Sequence, residues 1–432
     1  MFTRSRTLRV SVIAAIGIGL LAGCSSGSTE PAATYDPDEK VNLDFAFWGN
    51  DTRAALYVDA IAAFNEEYPN ITVNAQFLTF PEFWEKRQTE AAGGGLPDVM
   101  QFDYSYLRQY AQNGLLLDLG PYLGDVIDTE PLAENILDIG AVDDVTYAVP
   151  TSTNAWGLYT NPDLLAEVGV EKFEGGDWQD YGSWMEEFAT AAQAQGETLY
   201  GGNDFTGRIQ NFELQLRAEG GELFTEDGEP GFDEERLAEF WESGEDIRDG
   251  AAIPSQRLDE LNPLGGFDAR LTGSELGWDN FGASFLANLG EGARFELSPP
   301  PVTVEGAKDL YLKPSMLHTV AATTKHPEAA VTLLNFLVNS PEVGEIFGTN
   351  RGLPASETAL EGASLGELDE MIRDYEASIA DRLGDAPPAP IVGFGSLEEK
   401  FRQLGLELGY GLITVDEAVD QFFTEMDVIL TQ

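Results

Sequence analysis

Apolar residues Val41, Leu43, Phe45 and Phe47 alternate with Asn42, Asp44 and Ala46, which predicts a strand ending at Trp48-Gly49-Asn50-Asp51. Tyr57, Ala60, Ile61, Phe64 and Tyr68 then share one face of a helix, which Pro69-Asn70 stops. Ile71, Val73, Ala75 and Phe77 alternate again. Thr79 and Glu82 have the spacing of a capping box for a helix holding Phe83 and Trp84. Gly93-Gly94-Gly95 ends that helix, and Pro97-Asp98 leads into a third strand over Val99–Phe102. A further helix starts near Ser105 and closes at Asn113-Gly114. This β-α-β-α-β-α order predicts a largely parallel sheet covered on both faces.

Beyond it, short strands are expected at 147–149 and 156–159, around Pro150-Thr151-Ser152-Thr153-Asn154, with an Asn161-Pro162 turn after them. The chain to about residue 290 reads as mainly helical, Trp184, Met185, Phe188 and Ala191 marking one amphipathic stripe. Pro299-Pro300-Pro301 predicts a stiff extended crossover. Pro327-Glu328 opens a helix with Ala330, Leu333, Leu334 and Leu337 on one side. Leu397, Phe401, Leu404 and Leu408 predict another, and Thr414 with Glu417 caps a last one.

The N-terminus has a different pattern. Arg4, Arg6 and Arg9 precede an apolar run over 10–21, ending in Leu21-Ala22-Gly23-Cys24. That is a secretory signal, too short and asymmetric for an ordinary spanning helix. A cysteine directly after Leu-Ala-Gly is what bacterial lipoprotein processing requires: the thiol takes the lipid and cleavage frees the amine. Cys24 is also the only cysteine, so no disulfide is available. Residues 1–23 therefore read as a signal peptide and 24–40 as a lipidated tether, polar and without a packing face. An exported protein, anchored to the outer face of the cytoplasmic membrane (or on the periplasmic side where there are two membranes), is expected.

Charge narrows the partners. The 432 residues carry 75 acids against 24 Lys and Arg, a net charge of −51. The acids are spread along the chain and read as a solvated skin, an expected adaptation to high salt. Such a surface repels nucleic acid and anionic lipid and favours a monomer. Only His318 and His326 exist, so Ser-His-Asp, Cys-His and His-based zinc sites lack parts. No phosphate-binding Gly-x-x-x-x-Gly-Lys loop occurs. No cofactor, metal or catalytic residue is expected.

Several segments together resemble one family. They are Phe47-Trp48-Gly49, the run from Phe64 to Val73, Gly93-Gly94-Gly95-Leu96-Pro97-Asp98-Val99, the run from Tyr110 to Leu116, and Tyr147-Ala148-Val149-Pro150. Leu158-Tyr159-Thr160-Asn161, the run from Phe336 to Glu342, and Arg351-Gly352-Leu353-Pro354 follow in order. The chain is similar to the extracellular solute-binding proteins of ABC importers, in the group that binds sugars and oligosaccharides. The resemblance implies an α/β protein with the type II periplasmic-binding-protein fold: two α/β lobes around a ligand cleft, joined by hinge crossovers. Carried over, lobe one is 41–150 with 300–350, and lobe two is 151–299 with 354–432. The crossings fall near 150–153, 299–302 and 353–354. It also implies closure of the lobes on a carbohydrate and its delivery to an ABC permease, without catalysis.

Side chains just past the C-terminal ends of parallel strands point into such a crevice. That criterion selects Trp48, Asn50 and Asp51 after the first strand, and Asp103 and Tyr104 after the third. Position in the family adds Asn154 and Trp156, then Trp278, Asp279 and Asn280, then Arg351 at the last crossing. Arg53 is a further member, unless it serves the turn at Asp51. Plainer roles stand beside these. Trp48 and Trp156 would also suit a core, Asp103 a helix N-cap, and Arg351 an ion pair. The alternatives keep the fold with a polyamine, glycerol phosphate or ferric iron, the last calling on Tyr104 and Tyr106, or make the protein a secreted glycoside hydrolase.

Overall fold

The computed structural model describes residues 40–431 except 50, 133 and 263. The leader, Cys24 and most of the tether lie outside the described residues, as does Asn50. Strand β1, Val41–Trp48, pairs in parallel with β2, Ile71–Leu78, and with β3, Val99–Phe102. Helices α1 (Asp51–Glu67), α2 (Phe80–Gly93) and α3 (Tyr104–Gln112) connect and follow them. Each forms for the reason its sequence gives. Tyr57, Ala60, Ile61 and Phe64 are the buried face of α1, and the Glu82 carboxylate accepts from both Thr79 N and Oγ1 ahead of α2.

The parallel order stops there. A hairpin of β4, Ala141–Val142, and β5, Val145–Thr146, precedes β6, Ala148–Thr160. Strand β6 is continuous over thirteen residues where two short strands were expected, and every one of them is buried. Its register slips between Pro150 and Thr153, so Pro150 and the hydroxyl residues after it make the strand irregular instead of ending it. Strands β7 (Ser274–Trp278), β8 (Glu296–Ser298), β9 (Leu312–Val320) and β10 (Leu353–Pro354) all pair with β6 antiparallel. Strand β9 also pairs with β3, giving the order β10-β6-β9-β3-β1-β2.

The cores fall into two groups. In one, Leu43, Phe45 and Phe47 pack with Phe64, Leu333 and Leu337, while Trp48, Phe83, Trp84 and Phe102 cover the opposite sheet face. In the other, Trp156 and Leu158 pack with Trp184, Met185 and Leu276, and Phe212, Trp241, Phe401 and Phe422 form an adjoining helical cluster. Strand β6 belongs to both: Ala148 and Val149 lie in the first group, Ala155 and Trp156 in the second. Strand β9 does the same, with Leu317 and Val320 in the first and Leu312 against the second.

Residues 299–302 do not carry the chain across. Arg382 Nη1 donates to Pro300 O at 2.7 Å, Val302 N donates to Gly176 O at 3.0 Å, and Leu310 is buried with Trp184. Nor does Pro354 mark departure from the first group. Glu357 N donates to Pro131 O, and Thr358 Oγ1 to Asn339 O at 2.6 Å. Among the described residues no helix is long and apolar enough to cross a membrane.

Candidate functional site

Where β6 and β9 pass between the two core groups, a cleft of about 750 Å³ opens. Arg53, Asp103 and Tyr104 come to it from the α1 and α3 side, and Trp278, Asp279 and Asn280 from the end of β7. Asn154 and Arg351 line it at the crossing strands. These eight expected residues, distant in sequence, share one cavity.

Their bonds separate them into supports and free surfaces. Asp103 caps α3, accepting from Ser105 N at 3.0 Å, so its plainer role is occupied. Tyr104 OH donates to Pro387 O at 3.0 Å, and burial pushes its phenol up. Arg53 Nε and Nη2 donate to Asn350 Oδ1 and O. Arg351 lines the cleft but is buried. Its guanidinium lies 3.9 Å over the Phe347 ring, donates to Leu337 O and sits 3.5 Å from His318 Nε2. Burial, then the Arg351 charge, pulls His318 down to about 3, so the imidazole is neutral.

Trp278 is the aromatic surface of the cleft. Trp156 meets it edge-on at 5.1 Å, and the Lys313 ammonium lies 5.0 Å from its ring centroid. Trp156 itself is buried, its Nε1 donating to Asn211 Oδ1 at 2.8 Å. It backs the surface and does not line it. Behind Trp278, the buried Asp279 carboxylate accepts from Ala155 N at 2.8 Å and from Glu376. Burial raises Asp279 to about 7 and Glu376 well above the ordinary carboxylate range. Glu376 also accepts from Thr153 Oγ1 at 3.1 Å, which ties the pair to β6.

Two expected members stand elsewhere. Trp48 is only 7% exposed, enclosed by Phe80, Phe83 and Trp84 at 5.4, 5.2 and 6.0 Å. The ring at the end of β1 is covered because α2, the helix that follows the neighbouring strand β2, starts with aromatics. Asp51 begins α1 and is exposed, away from the cavity. Tyr106 stacks on Trp84 at 3.7 Å, so it does not pair with Tyr104. Among the described residues no group of three or more His, Cys, Asp and Glu side chains is placed to hold a metal ion.

The cleft also includes Lys313, Met316, Asp369, Phe394 and Glu398, which sequence reasoning missed. Asp369 and Glu398 are committed to protein partners: Asp369 accepts from Thr349 Oγ1 and Gly366 N, Glu398 from Gln210 Nε2. The signal that would have found Lys313 is its place on a strand crossing between the cores, invisible until the crossing was located.

Known proteins fit this geometry. A family model described as bacterial extracellular solute-binding protein matches residues 48–343. The chain spans about half the length of the first curated relatives it matches, at 25% identity over 221 residues. It is 28% identical over 130 residues to the arabinooligosaccharide-binding protein of Halalkalibacterium halodurans, covering 29% of each chain. Among solved structures, an extracellular solute-binding protein family 1 member from Alicyclobacillus acidocaldarius is 26% identical, with TM-score 0.76, over 92% of this chain and 100% of that one. A periplasmic oligogalacturonide-binding protein of Yersinia enterocolitica is 22% identical, with TM-score 0.77, over 90% and 99%. This likeness carries the type II periplasmic-binding fold.

Proposed function

Since the chain belongs to the bacterial extracellular solute-binding proteins, we propose that it captures an extracellular oligosaccharide by closing two lobes and delivers it, uncleaved, to an ABC permease. The observation that carries this reading is the cleft itself. It is about 750 Å³, within the range of small-ligand sites, and its wall pairs the Trp278 ring with amides at Asn154 and Asn280. An aromatic face takes the C–H side of a pyranose, and amides take its hydroxyls. The arabinooligosaccharide-binding relative and the oligogalacturonide-binding neighbour favour the same ligand class.

In this reading the lobes meet at the bent part of β6, at β9 near Lys313–Met316, and after the helix Glu357–Gly362, in place of the crossings expected at 299–302 and 353–354. Hinge closure about these strands narrows the cleft around the ligand. The protein works as a monomer, exported and held by lipid on Cys24 at the outer face of the cytoplasmic membrane, or on the periplasmic side where there are two membranes.

The test is a thermal-shift screen against mono- and oligosaccharides, polyamines, phosphates and ferric ion. Binding at a hundredfold excess over Kd stabilises the native state by about 2.7 kcal/mol. A rise with one saccharide, recovered intact, supports the reading. A rise with only a polyamine, a phosphate or iron overturns the ligand class, and cleavage of the sugar overturns the absence of catalysis.

A further inference from the structure

The cleft has a side chamber. A cavity of about 70 Å³ lies behind Trp278, and both cavities are lined by Tyr104, Trp278, Lys313, Pro390, Phe394 and Glu398, so it opens from the cleft. Its far wall is Pro387 and Pro388, in a segment that Tyr104 OH and Arg108 Nε hold by the carbonyls of Pro387 and Ala389 at 3.0 and 2.9 Å. Prolines fixed at two carbonyls make a wall with little freedom to retreat.

Size decides what enters. A water in the liquid occupies about 30 Å³, so the chamber holds about two water-sized groups. A pyranose ring with its hydroxyls does not fit, nor does an acetamido group with its four heavy atoms. A substituent of two heavy atoms does.

Chemistry then decides which one. Lys313 on β9 and Glu213 on the helix Ile209–Ala218 line the chamber from opposite elements, beside Gln210, Glu222, Tyr311 and Glu398, of which Glu222 and Glu398 are bound to Arg217 and Gln210. Among the described residues the Lys313 ammonium has no carboxylate within ion-pairing distance, its one partner being the Trp278 ring at 5.0 Å. Glu213 is 8% exposed and accepts from Tyr311 OH at 2.7 Å. Burial raises its carboxyl to about 7, against the pull of Arg217, which is itself bound to Glu222. A donor without an anion opposite a buried carboxyl suits a group that both accepts and donates.

We propose that this chamber receives the hydroxymethyl group of one hexose unit of the ligand, with Lys313 donating a hydrogen bond to its oxygen and Glu213 accepting one from its hydroxyl, and so selects hexose oligosaccharides over pentose and uronate ones. The inference rests on the carbohydrate reading above. A pentose leaves the chamber unfilled and offers the Lys313 ammonium no acceptor there. A uronate places a fourth carboxylate beside Glu213, Glu222 and Glu398, where Lys313 is the lining cation and Arg217 is already bound to Glu222.

The experiment is calorimetric titration of the protein, and of its Lys313→Met and Glu213→Gln variants, with trisaccharides of glucose, xylose and galacturonate. Glucose trisaccharides of both anomeric linkages are included, and unfolding curves check each variant. The native protein should bind a glucose trisaccharide at least tenfold more tightly than the xylose and galacturonate ones. Each variant should reduce that preference to under about threefold, and Glu213→Gln, whose site lines the chamber and not the cleft, should leave xylotriose affinity within about twofold. Glu213→Gln keeps the side-chain shape, so it decides the matter should Lys313→Met not fold. Xylose or galacturonate binding as tight as glucose, or an unchanged preference in Glu213→Gln, overturns the chamber while leaving the saccharide reading intact. Absence of binding by every trisaccharide and by every sugar of the wider screen overturns both.

Discussion

The Glu376 carboxyl, on the helix Glu367–Ser378, hydrogen-bonds the Asp279 carboxylate at the end of β7, and the pair is fastened to β6 through Thr153 and Ala155. Two carboxyls in one desolvated site cannot both ionise cheaply, and here Glu376 keeps the proton and donates it. Their joint role is mechanical: they connect the wall of the cleft to the strand that runs between both cores.

The pair makes stability depend on pH in a definite direction. Asp279 rises from 3.8 to about 7 on folding, and Glu376 rises further. Between those limits the native state holds more protons than the unfolded chain, so its stability is full below about pH 4 and is lost as pH rises through 7. Glu213 and Glu275, both raised to about 7 by burial, act with the same sign. His318, depressed to about 3, acts oppositely, its contribution being lost below pH 6.5. The three carboxyls near 7 and Glu376 outweigh one imidazole, so the melting temperature should fall between pH 5 and 8. Glu376→Gln, which retains the donor without the titration, should flatten the fall and melt above the native protein at pH 8. Parallel curves for the two proteins would show that no proton is shared.

Arg351 leads to a different expectation, although it touches the same cleft. Its guanidinium is spent on the Phe347 ring, Leu337 O and the His318 side. Arg351→Met should therefore cost about 1–3 kcal/mol in denaturant unfolding, while saccharide affinity changes by less than about threefold. A larger loss of affinity at unchanged stability would return Arg351 to the ligand contacts.

Much of the fold was legible because its elements obey a period. The α1 face at Tyr57, Ala60, Ile61 and Phe64, and the Thr414–Glu417 box, are local devices that tertiary context did not override. Strand β6 was not legible as one element. Buried on both faces, it has no polar alternation, and its Pro150 reads as a break. The crossing at β9 was hidden likewise, and with it Lys313. In the site, Trp278-Asp279-Asn280 stood out because a large ring among polar neighbours suits a cleft wall. Trp48 looked alike, but what covers it, Phe80 and Phe83, belongs to α2, one strand and one helix further along the chain.

Trp48 and Trp278 should thus separate in mutation. Trp48→Ala empties a packed site among Phe80, Phe83 and Trp84 and should destabilise by about 3–5 kcal/mol. Trp278→Ala removes a ring that is partly exposed to the cleft, and should lower saccharide affinity at least tenfold with a smaller stability cost. Unfolding curves and calorimetry on the same two variants check both. Should Trp278→Ala leave affinity intact, the cleft as described would not be the ligand site.

The surface charge gives a last expectation, independent of any ligand. With 75 acids against 24 bases, mutual repulsion opposes the compact state more than the unfolded one. The screening length shortens from about 8 Å at 0.15 M salt to about 3 Å at 1 M, below the spacing of most surface charges. Among the described residues ion pairs are few beside the acids, and those buried enough to resist screening, such as Arg382–Asp309, survive it. Adding KCl from 0.05 to 1 M should therefore raise the melting temperature, with the steepest change below about 0.3 M, where screening of exposed charges changes fastest. Sucrose at equal osmolality separates screening from solute exclusion, since it stabilises without touching charge. A melting temperature indifferent to KCl would mean that the acids lie far enough apart, or are hydrated well enough, that their repulsion does not reach the folding equilibrium.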